Sequence, residues 1–312
     1  MSGIITRPAG VAAAGAAGPD RLRVAAANWA VLRPASMQAL ADRLDAAVAD
    51  AVADGARLLV FPEYGGMEAA VLSPAFRSGD LAAEIAAATA MAGPWLEVHR
   101  AMARRHDIHI LAGSLPVRVP GHAWPVNRCW LVAPDGSHAH QDKRIMTRFE
   151  REHWHIGAGD ARRVFDTSLG TIGIAICYDA EFPLEVRDMV VAGADIILLP
   201  SCTDTVAGYH RVRVAAQARA LEGQCFVIQS PTTGTAGWSE AVDVNHGAAG
   251  IFAPPDRGLP DDGVVRLGGL DQPGWVIADL NRAALRLVRQ DGQVLPLRHW
   301  HEQAAARPDQ PA

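Results

Sequence analysis

Two stretches of the chain repeat one local pattern, and this repeat constrains the possible folds more than any other feature. Residues 55–63 read GARLLVFPE and residues 193–201 read GADIILLPS. In each stretch a glycine ends a helix, a continuous apolar run forms a buried strand, and a proline stops that strand. Two such units predict a duplicated α/β architecture with two sheets face to face. Functional groups of α/β folds gather beyond the carboxyl ends of strands, which is where Glu63 lies.

Periodic patterns elsewhere extend this interpretation to a series of helices and strands. Met37, Leu40, Leu44 and Val48 recur at helical spacing behind Ser36, which is a suitable N-cap. The patterns predict strands over 21–30, 58–61, 107–112, 196–199, 225–229 and 275–278, hairpins over 128–141 and 164–176, and helices over 36–55, 183–191 and 209–222, with a helical stretch over 80–106 that is interrupted at 93–94. A loop-rich region is predicted over 231–274.

The length and composition of the chain predict one large domain. It has 312 residues, of which 49% are apolar, enough for a substantial core. We expect this domain to span residues 21–300. The Ala/Gly tract over 11–17 predicts a disordered tail over 1–20, and the polar, proline-containing end predicts a second tail over 301–312.

The charge and cysteine content exclude several classes of protein. The net charge is -5 and no basic run is present, which argues against binding to nucleic acid or to anionic membranes. No apolar stretch reaches membrane-spanning length, and without an export signal we expect a cytoplasmic location. Cys129, Cys177, Cys202 and Cys225 lie far apart, without C-x-x-C or zinc-like spacing, so we expect free thiols.

Three residues have positions that suit chemistry at a carbonyl carbon. Cys177 ends the apolar run 172–176, so it is either a buried core thiol or a nucleophile at a sheet edge. A neutral thiol attacks poorly and needs a base. Glu63 is the candidate base, because a partly apolar setting would raise its pKa; the alternative is a surface carboxylate. Lys143 is either a surface lysine or an ammonium that stabilises a developing oxyanion.

Together with their surroundings, these residues resemble the nitrilase superfamily of carbon–nitrogen hydrolases. The matching motifs are VFPE over 60–63, DKRIM over 142–146, GIAICYD over 173–179 with Phe182–Pro183, LLPS over 198–201 and ARALE over 218–222. The resemblance implies a four-layer α-β-β-α sandwich, a Glu63–Lys143–Cys177 triad, and neither a metal nor a cofactor. The sequence around Lys143 looks most like a branch in which some members carry a fused N-acetyltransferase domain.

The same resemblance implies an amidase that acts on a small molecule through a thioester. Cys177 would be the nucleophile and Glu63 the proton carrier, while Lys143 and the backbone N–H of Tyr178 would hold the oxyanion. A nitrilase acting on a nitrile and a transferase that passes the acyl group to an amine remain open, as does a non-catalytic binding protein with this fold. The resemblance also implies a homodimer or a larger homo-oligomer, with residues 218–222 near the contact.

Two further glutamates enter by comparison with the family. The superfamily has a second active-site glutamate shortly after the lysine, and Glu150 matches that position better than Glu152. Many amidases of the superfamily have arginine two residues after the Asp of the cysteine motif, whereas this chain has Glu181. We therefore expect Glu181 in the substrate pocket and a substrate that is neutral or cationic. The histidine pairs at 138/140, 153/155 and 299/301 are interpreted as surface residues.

Overall fold

Strands and helices alternate through residues 3–9 and 15–305, the part of the chain that the computed structural model describes. The strands are β1 Ile5–Pro8, β2 Arg21–Ala30, β3 Leu58–Val60, β4 His109–Val117, β5 Val126–Val132, β6 His138–Asp142, β7 Arg163–Thr167, β8 Gly170–Ile174, β9 Ile196–Ser201, β10 Phe226–Thr235, β11 Val244–Asn245, β12 Gly250–Phe252, β13 Val264–Leu267 and β14 Gly274–Asn281. The helices are α1 Met37–Ala53, α2 Met67–Ala70, α3 Leu81–His106, α4 Arg148–Glu152, α5 Pro183–Val191, α6 Val206–Gly223, α7 Arg282–Asp291, α8 Pro296–His299 and α9 Glu302–Ala305. A 3₁₀ helix over Cys177–Glu181, named here the Cys177 turn, follows β8.

The strands form two sheets that are joined where the end of β10 pairs with the end of β2. Sheet 1 has the order β14-β2-β3-β4-β5-β6, and β2, β3 and β4 run parallel. Sheet 2 has the order β1-β7-β8-β9-β10-β12-β13, and β8, β9 and β10 run parallel. Thr232 and Thr233 at the end of β10 pair with Trp29 and Ala30 of β2. The carboxyl ends of the parallel strands of both sheets are therefore held next to each other.

Side chains of sheet 1 alternate between two apolar cores. Leu58 and Val60 of β3 belong to the same core as Ile174 of sheet 2, so they lie between the sheets. Leu59 belongs to a second core that includes side chains of α1 and α3. Successive residues of a strand point to opposite faces, so a strand buried on both faces reads as the continuous apolar run seen in the sequence.

The outer face of sheet 2 is covered in the same way. A side chain at Gly173 of β8 would collide with Met189 of α5, which shows how closely this helix approaches the sheet. Val212 and Ala216 of α6 pack in the core of sheet 2 as well. The order of layers is therefore helices, sheet 1, sheet 2 and helices, which is the predicted α-β-β-α sandwich.

The repeated pattern of the sequence corresponds to equivalent elements of the two sheets. Gly55 and Gly193 have φ angles of 86° and 102°, in the left-handed region that favours glycine. Gly55 lies between α1 and the buried parallel strand β3, and Gly193 lies between α5 and the buried parallel strand β9. The predicted pair of helix–strand units, one in each facing sheet, is confirmed. The expected stop at Pro200 is wrong, because β9 continues through this residue, which pairs with Ser230 of β10, and ends at Ser201.

Other expectations also differ from the structure. Gly93 and Pro94 do not interrupt α3, which continues from Leu81 to His106; the proline removes one helical hydrogen bond, but its neighbours Ala92 and Trp95 are buried in the second core, with Leu59 of sheet 1. The expectation of a disordered tail does not hold for Ile5–Pro8, which pairs with Arg163–Asp166 at the edge of sheet 2, because the Arg7 guanidinium binds the Asp166 carboxylate there.

The ends of the chain are described only in part. Residues 1–2, 10–14 and 306–312 of the predicted tails lie outside the described residues, whereas Glu302–Ala305 is helical. Among the described residues, no helix is long and apolar enough to cross a membrane.

Candidate active site

Glu63 is held at the carboxyl end of β3 by the neighbouring strand. Gly113 of β4 has a φ of 78°, and a side chain there would lie 2.5 Å from the carbonyl oxygen of Pro62. The backbone N–H of Ser114 donates to that carbonyl, and the Ser114 hydroxyl accepts from the N–H of Tyr64 at 2.9 Å. The glycine thus permits a close approach that fixes the backbone on both sides of Glu63.

Lys143 follows β6 directly and is buried, with 1% of its surface exposed. Its backbone N–H donates to the carbonyl of Asn127 on β5 at 2.9 Å. Its ammonium group lies 2.7 Å from Glu63 Oε1, and 2.8 and 2.7 Å from the two carboxylate oxygens of Glu150. The structure therefore brings Glu63, Lys143 and Glu150 into direct contact inside the protein.

The structure also distinguishes Glu150 from Glu152, the two candidates for the second glutamate of the site. Glu150 is the third residue of α4, and its carboxylate accepts from the N–H of the N-cap Thr147, so it points back towards Lys143. Glu152 lies on another side of the helix and pairs with Arg148 at the surface. Thr147 and Glu150 form a capping box, T-x-x-E, which is a signal that the sequence carries.

Cys177 is the first residue of the Cys177 turn and has a φ of 49°, an uncommon backbone conformation for a side-chain-bearing residue. Its thiol is buried and lies 3.6 Å from the carbonyl oxygen of Cys202. The charge of the nearby Glu63 carboxylate acts on this thiol. The three residues of the predicted triad are therefore close to one another in the structure.

The four groups have pKa values that are shifted in different directions. Burial raises the pKa of Glu63 to about 7, against the opposing charge of Lys143. Burial acts on Glu150 too, but the Lys143 charge and several hydrogen bonds outweigh it and hold the Glu150 pKa below its ordinary value. The two carboxylates raise the pKa of Lys143, although burial alone would lower it. Glu150 and Lys143 thus remain an ion pair, whereas Glu63 can gain or lose a proton near neutral pH.

The thiol itself is not acidic in this setting. Burial, followed by the nearby Glu63 charge, raises the pKa of Cys177 well above its ordinary value, and the Lys143 charge only partly opposes this. The resting thiol is therefore protonated, so nucleophilic attack would require a base to take its proton.

This arrangement predicts how alkylation of Cys177 depends on pH. Ionised Glu63, with its pKa of about 7, is needed to take the thiol proton. The rate with iodoacetamide is therefore expected to fall roughly tenfold per pH unit below 7 and to level off above it. Mass spectrometry of the Cys177 peptide from pH 5 to 10 measures the rate. A rate that keeps rising up to pH 10 would mean an unassisted thiol and would contradict a role of Glu63.

A spectroscopic control can identify the group that titrates. Lys143 is the only lysine of the chain, so protein made with nitrogen-15-labelled lysine gives a single side-chain ammonium signal. Because Lys143 Nζ contacts Glu63 at 2.7 Å, its chemical shift should change with the same midpoint as the alkylation rate. The apparent value belongs to the coupled pair of groups.

Two residues of the site were missed by reasoning from the sequence. Tyr64 is buried, donates its hydroxyl to Glu150 and packs in a tilted arrangement against Trp154, with ring centroids 4.8 Å apart. Asn127 donates its side-chain amide to Glu63 Oε1 at 2.9 Å. Tyr64 follows the candidate base directly, but no local pattern indicates its contact with a residue 86 positions away.

The remaining predicted site residues lie in the Cys177 turn. The N–H of Tyr178 belongs to the first turn of this 3₁₀ helix, where N–H groups lack a partner within the helix. Glu181 lies at the end of the turn, and its carboxylate is 3.7 Å from the guanidinium of Arg211 on α6. Its charge is therefore partly compensated, which weakens the expectation that Glu181 repels an anionic substrate.

Two cavities lie at the protein surface, and Glu181 lines the larger of them. A groove of about 580 Å³ runs along α6, and a second cavity of about 250 Å³ lies between α6 and α8. Neither is lined by Glu63, Lys143 or Cys177. The three side chains are 1 to 3% exposed, so the arrangement offers an enclosed site with a nucleophile, a base and a fixed cation.

Comparison with known proteins gives a consistent result. Residues 21–289 match the model of the family described as Carbon-nitrogen hydrolase. The chain is 40% identical over 197 residues to "Probable hydrolase YhcX" of Bacillus subtilis, covering 63% of this chain but only 38% of that protein. It is 29% identical over 267 residues to "Deaminated glutathione amidase" of a Synechocystis species, covering 80% of this chain and 88% of that protein.

The fold has counterparts among solved structures as well. The crystal structure of the NitFhit protein of Caenorhabditis elegans matches with a TM-score of 0.71 and 20% identity, over 94% of this chain and 66% of that one. This chain therefore spans less than two thirds of both YhcX and NitFhit. At this identity, the structural match concerns the fold alone.

Proposed function

The chain belongs to the carbon–nitrogen hydrolase family of the nitrilase superfamily, and we propose that it is an amidase that hydrolyses a small-molecule amide through a thioester on Cys177. The observation that carries the proposal is the contact of Lys143 Nζ with Glu63 Oε1 at 2.7 Å, beside the thiol of Cys177. This contact supports the proposal, because a cation, a base of suitable pKa and a nucleophile would then meet in one buried site. The enclosure favours a small substrate.

The first half of the proposed reaction forms the thioester. Glu63 takes the thiol proton while the sulfur of Cys177 bonds to the amide carbon, and the carbonyl oxygen becomes an oxyanion. Lys143 and the N–H of Tyr178 stabilise this oxyanion. Protonated Glu63 then gives its proton to the amide nitrogen, the C–N bond breaks, and ammonia or an amine leaves.

The second half hydrolyses the thioester. Glu63, again ionised, takes a proton from water, and the resulting hydroxide bonds to the acyl carbon. The tetrahedral oxyanion that forms is held by the same donors. The C–S bond then breaks, the sulfur of Cys177 regains a proton from Glu63, and a carboxylic acid leaves.

The contacts of Lys143 support a coupling between proton transfer and oxyanion binding. Its three ammonium protons face one oxygen of Glu63 and both oxygens of Glu150. When Glu63 accepts the proton of Cys177, its carboxylate becomes neutral and binds the ammonium less strongly. One N–H of Lys143 then becomes available when negative charge appears on the substrate oxygen.

The proposal predicts faster hydrolysis of amides than of nitriles. Nitrilases of the superfamily usually have Trp-Glu after the catalytic cysteine, whereas this chain has Tyr178-Asp179, as in amidase branches. An amide produces an oxyanion that Lys143 and a backbone N–H can hold, whereas a nitrile produces a thioimidate that needs a proton on nitrogen. The test compares kcat/KM for amide and nitrile pairs that share one side chain, with ammonia release as the readout.

The outcome of this comparison separates the competing functions. Faster hydrolysis of the nitriles across several pairs would indicate a nitrilase in place of an amidase, without contradicting the proposed Glu63–Lys143–Cys177 triad. Faster product formation with added amines would indicate an acyl transferase. A protein that binds such compounds without any turnover, at every pH from 6 to 9, would be a non-catalytic member of the family.

We also propose that the chain forms a homodimer or a larger homo-oligomer through the exposed face of α6. The groove along this helix is lined by Ala207, His210, Arg211, Val214, Ala215, Ala218 and Arg219 of α6 and by Glu181. Val214 is 63% exposed and Leu221 on the same helix is 48% exposed. Side chains of this kind gain free energy when a second copy covers them.

Light scattering at micromolar concentration is expected to give at least a dimeric mass. Val214→Asp should dissociate it, because a charge would be buried at the contact. Leu287→Asp is the matched control, since Leu287 is 66% exposed on α7 and outside the groove. A monomeric wild-type protein, or equal effects of the two substitutions, would contradict an α6 interface.

The proposed compartment is the cytoplasm. The four cysteines are free, and the mechanism requires a reduced thiol at Cys177. A reducing compartment maintains this state.

A further inference from the structure

The carboxylate of Asp179 connects the two backbone segments that carry the nucleophile and the cation. Asp179 Oδ1 accepts from the backbone N–H of Ile145 at 2.8 Å and of Arg144 at 3.1 Å. Its other oxygen, Oδ2, accepts from the N–H of Ile176 at 3.2 Å. Ile176 directly precedes the nucleophilic cysteine, and Arg144 and Ile145 directly follow the lysine. One side chain therefore bonds to the immediate neighbours of both reacting groups.

This connection is made inside the protein, where it is strong and directional. Asp179 is 1% exposed, so its carboxylate has little access to water and depends on these N–H donors. Charge-assisted hydrogen bonds of a carboxylate to backbone N–H groups are about twice as strong as neutral ones. The two joined segments belong to different sheets, since Lys143 follows β6 of sheet 1 and the Cys177 turn follows β8 of sheet 2.

We propose that Asp179 is a positioning residue that sets the distance between the thiol of Cys177 and the Glu63–Lys143 pair. Its hydrogen bonds go to backbone N–H groups and not to the reacting atoms. Without its hydrogen bonds to these three N–H groups, the Cys177 turn could shift relative to Lys143, and a displacement of about 1 Å in an active site can cost on the order of 100-fold in rate. This inference rests on the proposed function only for the turnover measurement, because the alkylation rate measures the reactivity of the Cys177 thiol without any substrate.

The test uses two substitutions and one control in the full chain. Asp179→Asn removes the charge and turns one carboxylate oxygen into an N–H₂ donor, which cannot accept from the backbone. Asp179→Glu keeps the charge but moves the anchor by one methylene. Asp195→Asn is the control, since Asp195 is also a largely buried carboxylate, but it binds the side chain of Arg282 and not the Cys177 turn.

Assays are run at pH 8, because burial raises the pKa of both Glu63 and Asp179 to about 7 and both are ionised there. Both Asp179 variants are expected to lose roughly 10- to 100-fold in kcat with KM within about twofold of wild type. Alkylation of Cys177 by iodoacetamide should slow by a similar factor. Asp195→Asn should lower the melting temperature without changing the alkylation rate of the folded protein.

Several results would overturn the inference. The first is that either folded Asp179 variant keeps the wild-type alkylation rate and kcat. The second is that the Asp179 variants change only in KM. The third is that the alkylation rate falls equally in Asp195→Asn. If Asp179→Asn does not fold, the Glu variant decides, and failure of both to fold would assign Asp179 to the fold and not to positioning. If wild-type Cys177 itself shows neither rapid alkylation nor turnover, the proposed function has failed and not this inference.

Discussion

Replacing Cys177 with alanine is expected to abolish turnover, by at least ~10⁴-fold in kcat, while the protein still folds. No thioester can form at this position without the sulfur. The substitution removes one buried atom, and the hydrogen bond of that atom to the carbonyl of Cys202, at 3.6 Å, is weak. The free energy of unfolding should therefore change by only about 1 kcal/mol. Ammonia release and thermal unfolding measure the two effects.

Cys225 provides a matched control for this substitution. Its thiol is fully buried and lies 3.5 Å from the carbonyl of Arg219, so it resembles Cys177 in burial and in hydrogen bonding. Cys225→Ala should cost similar stability and leave turnover unchanged. Near-wild-type activity of Cys177→Ala, or equal losses in the two variants, would contradict the proposed mechanism.

Lys143→Ala is expected to lower kcat by at least ~100-fold, which is the effect of removing one oxyanion donor. The structural reason is that Lys143 Nζ is the cation placed between Glu63 and Glu150. A fall confined to KM would mean that Lys143 only binds the substrate. Lys143→Arg should not restore kcat, because a planar guanidinium is larger and has a different donor geometry from an ammonium.

The stability of this variant has to be measured alongside its activity. Removing Lys143 leaves two buried carboxylates without their shared cation, and such a loss costs about 3–5 kcal/mol. Arg282→Met is a suitable control, since it breaks the buried pair of Arg282 on α7 with Asp195, just before β9, without touching the triad. Activities normalised to the folded fraction then separate a catalytic effect from a loss of stability.

The sequence identified the elements that end at the site and the residues that we propose to react. Apolar runs before Pro62 and Pro200 predicted two buried strands, and the structure has them as β3 and β9, although β9 continues through Pro200. Glu63, Lys143 and Cys177 followed from motif resemblance, since each residue type meets a separate need of one reaction. A further signal is that Lys143 is the only lysine among the 29 basic residues, in a chain that otherwise uses arginine.

The choice between Glu150 and Glu152 shows what a local sequence pattern can predict about a site and what it cannot. The motif spacing favoured Glu150, and the capping box with Thr147 gives the physical reason, because it directs this side chain back along α4. Whether the carboxylate then meets Lys143 depends on where α4 lies relative to β6. That position is set by tertiary packing and is not encoded in the spacing.

Only the tertiary structure placed Tyr64, Asn127 and Asp179 around the triad. Their partners are 86, 64 and about 35 residues away in the chain, and contacts at such separations have no periodic signature in the sequence. The pKa of about 7 for Glu63 is likewise a tertiary property, because it arises from burial opposed by a lysine 80 residues away. The sequence by itself determined which side chains can react, since motif and residue type are local. The arrangement that makes them react was decided by the packing of two sheets, which brings distant strand ends together and excludes water from the groups between them.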